Sequence, residues 1–65
     1  MKLGSEELAQ LETVLVEILT VALKCHPSIR PMITDIAIGI SDLLPEEAVT
    51  RAKEYSMYRA RRETV

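Results

Sequence analysis

The sequence predicts an all-α chain of three helices in an up-down-up order, at about residues 5–25, 28–44 and 45–62, in a single domain over 1–65 with frayed ends at 1–4 and 63–65. Three observations carry this. Apolar residues recur at three- and four-residue steps without strict alternation. Prolines mark two breaks, at His26-Pro27 and Leu44-Pro45. The short connections between the segments make sequential neighbours antiparallel.

Segment one has Ser5 as its expected N-cap, with Glu6 and Glu7 set favourably against the positive end of the helix dipole. Leu8, Leu11, Leu15, Ile18, Ala22 and Cys25 follow the 3-4 spacing of a seam that meets another helix. At 100° per residue, Val14 and Val21 widen this seam on one flank and Val16, Leu19 and Leu23 on the other, giving an apolar arc of roughly 220°. Glu6, Gln10, Thr13, Glu17, Thr20 and Lys24 form the remaining polar strip. A helix packed on one side needs an apolar stripe of only ~100° or somewhat more, so segment one is expected to be covered from at least two directions.

Segment two opens after His26-Pro27, with Ser28 as the expected cap and Pro31 in the first turn, where a missing N–H costs little. His26 is expected to meet the last carbonyls of segment one. Ile29, Ile33, Ile36, Ala37, Ile40, Leu43 and Leu44 fill the expected inward arc, opposite Arg30, Thr34, Asp35, Ser41 and Asp42. Ile38 projects into the polar arc and is a candidate contact for a partner. Gly39, unfavourable within a helix by about 1 kcal/mol relative to Ala, suggests close approach of a neighbouring helix.

Segment three restarts at Pro45, with Glu46 and Glu47 in its first turn and Arg59, Arg61 and Arg62 near its negative end. Its inward arc is Ala48, Val49, Ala52, Ser56 and Ala60, which allows close packing but buries little area. Helices two and three are therefore expected to leave part of segment one uncovered. A second copy or another protein should cover it through Val16, Leu19 and Leu23 or through Val14 and Val21.

Composition narrows the function. At 65 residues, 48% hydrophobic and 28% charged, the chain is too apolar for intrinsic disorder and too short for a second domain. It has two Tyr but no Phe or Trp, so it offers few aromatic anchors for a cofactor. A single cysteine excludes an internal disulfide and fits a reducing, cytoplasmic setting. Val14–Leu23 is interrupted by Glu17 and Thr20, and no signal peptide or membrane span is expected. Lys2, Lys24 and Arg30 against Glu6, Glu7, Glu12, Glu17, Asp35 and Asp42 give residues 1–44 a net charge of −3. Arg51, Lys53, Arg59, Arg61 and Arg62 against Glu46, Glu47, Glu54 and Glu63 give 45–65 a net charge of +1.

No catalytic constellation is expected. Cys25 and His26 are adjacent in sequence and point about 100° apart, Cys25 lies on the apolar seam, and zinc would need four ligands. Gly4 and Gly39 stand alone, so there is no phosphate loop, and neither a metal site nor a cofactor is expected. The stretch ALKCHPSIRPMITDI (22–36) resembles the end of the C-lobe in some protein kinases around its Pro-Ser and Arg-Pro pairs. It covers under a quarter of the chain and brings no catalytic motif, so it implies no activity.

The leading expectation is a non-catalytic helical interaction module, binding itself or another protein through Val14, Val16, Leu19, Val21, Leu23 and Ile38. The alternative is a small nucleic-acid-binding regulator. Arg51, Tyr55, Tyr58, Arg59 and Arg62 form a basic-aromatic stripe on segment three that could meet phosphates and stack bases. Glu46 and Glu47 at the head of that helix and a pI near 5.3 weigh against it, as does the bland reading in which the tyrosines rim the core and carry arginine stems.

Overall fold

In the computed structural model, which describes residues 3–63, helix α1 spans Ser5–Lys24, α2 spans Arg30–Ser41 and α3 spans Glu46–Glu63. The three helices run in the expected order, but the ends differ in detail. Gly4, not Ser5, is the N-cap of α1. The Glu7 carboxylate reaches back to accept the Gly4 N–H at 2.7 Å, which fixes the cap one residue upstream and leaves Ser5 inside the first turn. The backbone of Glu63 is helical, and Met1, Lys2, Thr64 and Val65, which fall in the expected frayed ends, lie outside the described residues.

The α1–α2 junction is held by an arginine that was not expected to act there. Cys25 is extended and ends α1, and the Arg30 guanidinium crosses the turn to donate to the carbonyls of Ala22 (3.1 Å) and Cys25 (3.3 Å). A cation at the negative end of α1 thus does the work expected of His26. The His26 ring turns away from those carbonyls. Its Nδ1 accepts the Ser28 N–H at 3.1 Å and lies 2.8 Å from Ser28 Oγ. Ser28 is thereby engaged in the turn, and the cap of α2 moves to Ile29, with Pro31 in the first turn as expected.

At its other end α2 stops at Ser41, three residues before the expected boundary. The chain tightens through Leu43 N–H to Ile40 and Leu44 N–H to Ser41 bonds, each spanning three residues. This turn buries Leu44 and delivers the chain to Pro45, whose carbonyl accepts the first bonds of α3 from Ala48 and Val49. Helix three therefore begins one residue after Pro45.

Helix α1 packs against both other helices, whereas α2 and α3 barely meet. From α2 it takes Ala37, with Ile40 packed beside it; from α3 it takes Ala48 and Ala52. Leu15 and Ala52 are fully buried, and three of the six buried apolar residues among those described are alanines. Small side chains let α3 approach α1 closely, but they remove little apolar surface from water. Two polar residues enter this contact. Ser56 is buried with its hydroxyl donating to the Lys53 carbonyl at 2.8 Å. Thr20, assigned to the polar strip of α1, is only 6% exposed, because α3 lies over it and its hydroxyl is satisfied by the Val16 carbonyl at 2.7 Å.

Gly39 also departs from expectation. A Cβ built there meets nothing within 4 Å, so no helix of the same chain approaches it closely. The overall shape is open: the Cα radius of gyration is 12.0 Å, against about 10.7 Å for a compact domain of this length. The extents are 37 × 23 × 15 Å, a slab little thicker than one helix with its side chains.

Leu15→Ala should cost about 2–5 kcal/mol, comparable with the 3–5 kcal/mol that a core of this size supplies. Thermal melting followed by circular dichroism should show no cooperative transition for this variant. Leu23→Ala, at a half-exposed position, should lower the midpoint only slightly.

Candidate interaction surface

The six residues expected to meet a partner separate into three groups. Val16 is 8% exposed and packed in the core under α3, so it is not open to a partner. Leu19 is partly buried against the same cluster. Leu23 is exposed in a cleft formed with Arg30 and Thr34 of α2 and Lys53 and Met57 of α3. Ile38 lies one turn beyond Thr34 on α2 and is exposed, as its place in the polar arc implied. Val14 and Val21 sit on the other flank of α1, about 160° and 140° around the helix from Val16, and are exposed.

Val14 and Val21 do not stand alone. With Ile18 and Cys25 they recur at 4-3-4 steps along α1, and Ile18 and Cys25 are half-buried between that flank and the core. On α2 and its end, Ile29, Met32, Ile36 and Leu43 are all exposed and recur at 3-4-7 steps, with Gly39 at the intervening 3-4 position. The two rows adjoin: Leu8, Leu11 and Val14 share a shallow groove with Leu43 and Pro45, with Glu7, Gln10 and Asp42 also lining it. The molecule therefore presents two neighbouring apolar seams on the side away from α3, each with the spacing used in helix–helix contacts.

Of the residues on this face, the sequence analysis named Val14 and Val21 as candidate contacts and none of the α2 row. Ile29, Ile36 and Leu43 were placed inward, but α2 has one neighbour, and its inward row is satisfied by Ile33, Ala37, Ile40 and Leu44. The signal was available in the width of the arc. An apolar face broader than a single packing stripe holds a second row that the first contact cannot cover.

The basic-aromatic stripe is brought together on α3, and two of its arginines reach across to α1. Arg51 donates twice to the Glu12 carboxylate, at 2.8 and 3.2 Å, and Arg59 bonds to Glu17. These residues line an open groove with Tyr55, Glu54 and Thr13. Arg62 lies over the Tyr58 ring, 5.7 Å from its centroid, so the ring carries the arginine stem. Two of the arginines that would meet phosphates are thus ion-paired to acids of α1. Both tyrosines remain more than half exposed, so they do not close the rim of the core.

Bonding to Arg51 holds the Glu12 carboxyl below the ordinary value of 4.5 against a smaller opposing effect of burial, and the same pairing raises Arg51. Cys25 donates weakly to the Ala22 carbonyl at 3.6 Å. Among the described residues no three His, Cys, Asp or Glu side chains are placed to hold one metal ion, and no helix is long and apolar enough to cross a membrane. No family model, no curated protein and no solved structure matches the chain, the kinase-like stretch 22–36 included.

Because the folded-state carboxyl of Glu12 is depressed, its pairing with Arg51 contributes fully above about pH 5. The contribution is lost as pH falls below 4.5 through the lowered value. The thermal midpoint of Glu12→Gln should therefore lie below wild type at neutral pH, by a small margin that salt reduces, and the two should converge once pH falls below the lowered folded-state value. A gap that persists in acid would contradict the assignment.

Proposed function

We propose that this chain is a non-catalytic helical protein–protein interaction module, of the kind used as a small regulator, adaptor or chaperone-like subunit. Its core is completed in the working state by itself or by another protein. The observation that carries this reading is the pair of adjoining apolar seams, Val14 and Val21 on α1 with Ile29, Met32, Ile36 and Leu43 beside them, exposed on one side of a slab-shaped chain. A contiguous apolar area of this kind marks a protein contact on a small domain that otherwise has a mixed-charge surface. A reducing, cytoplasmic setting belongs to the same proposal and rests on the lone, half-buried Cys25.

Two methionines provide an internal control. Met32 lies on the seam and Met57 in the cleft beside α3, and within a single chain they are 57% and 50% exposed. Brief peroxide treatment of the chain in extract of the cells that make it, read by peptide mass spectrometry, should oxidise Met57 and leave Met32 protected. Equal oxidation of the two would remove the proposal.

A further inference from the structure

We infer that the occupant of the α1–α2 face is a second copy of this chain, related by a two-fold axis, so that two α1–α2 hairpins close into a four-helix core with each α3 outside it. This rests on the association reading above and names its partner. Four features of the molecule support it.

The first is area. The chain exposes 4883 Å², whereas a compact monomer of 7.3 kDa exposes about 4,200 Å². The excess of about 700 Å² is close to the roughly 800 Å² that each side of a stable interface contributes. The second is shape. The slab is 15 Å thick and 23 Å wide; a second slab stacked at a helix spacing of about 10 Å brings the thickness to about 25 Å and makes the cross-section nearly equal in both directions.

The third is chemistry. A two-fold contact sets each residue of a patch against the same patch, so any charge within it would meet itself or be desolvated. The residues of the two seams carry none, being aliphatic, Met, Cys or Gly; the acids Glu7 and Asp42 line the groove where the seams adjoin, at one end of the face. The fourth is geometry. A hairpin of antiparallel helices carrying a 3-4 seam on each is half of a four-helix bundle, and a copy of the same hairpin supplies the missing half with matching seams. Gly39, which no atom of its own chain approaches, stands in that seam where a neighbouring helix can come near.

Sedimentation equilibrium of the purified chain across the micromolar range tests this. The expected mass is twice 7.3 kDa, undiminished in high salt because the contact is apolar. Ile36→Glu should weaken association by at least about 100-fold, since it desolvates a charge without a partner. Leu23→Glu, on the other side of the slab, should leave the dimer intact. A wild-type monomer at every concentration overturns the inference, as does a dimer indifferent to Ile36→Glu or dissolved by salt. Should Ile36→Glu lose its helical circular dichroism, the wild-type chain decides. Met32 oxidation should slow relative to Met57 as concentration rises, and parallel rates overturn the inference. A monomeric purified chain whose Met32 is nevertheless protected in extract leaves the association reading standing with a different protein as partner; Met32 open in both removes both.

Discussion

Helix α1 has to serve as the packing partner of both other helices, because α2 and α3 scarcely touch each other. Everything else in the molecule follows from that arrangement. Two helices lying on different sides of a third form a slab, and a slab has two broad surfaces for a modest interior. The interior here is a line of contacts along Leu15, Val16, Ala37, Leu44, Ala48 and Ala52 instead of a filled centre. Alanines on α3 bring it close to α1 and gain dispersion contacts, yet each removes only a methyl group from water.

Polar interactions fix the geometry that this thin core leaves loosely determined. At one end Arg30 ties the first turn of α2 to the last carbonyls of α1, setting the angle at which the chain returns. Along the length of α1, Glu12 and Glu17 engage Arg51 and Arg59 and set the rotation of α3. Exposed ion pairs add little stability, but two of them eight residues apart on α3 define its register against α1. The rotation they favour is the one that puts Ala48, Ala52 and Ser56 inward and covers Thr20 and Val16.

That rotation also decides which surface stays open. With α3 over the Val16 flank, the Val14 flank joins the outer row of α2, and the aliphatic residues of both hairpin helices form one face. Arg51 and Arg59 of α3 are turned toward acids of α1. The balance of exposed chemistry thus moves from a basic stripe suited to phosphate toward an apolar surface suited to another helix.

The chain's local signals determined the number of helices, their order and the position of each break to within a few residues, because proline, 3-4 spacing and acidic first turns act over a single turn of helix. They also determined that α1 carries more apolar surface than two neighbours can hide, since the width of an arc is a property of one helix alone. Which flank stays open was not legible, because it depends on the side of α1 against which α3 lies, and the contacts that mark that side, Glu12 with Arg51 and Glu17 with Arg59, join residues 39 and 42 apart in sequence. The same holds for Thr20, buried against its pattern, for Ile36 and Leu43, exposed against theirs, and for Arg30 in the place of His26. Each of these depends on where a neighbouring helix lies, and only the assembled tertiary structure places one helix beside another.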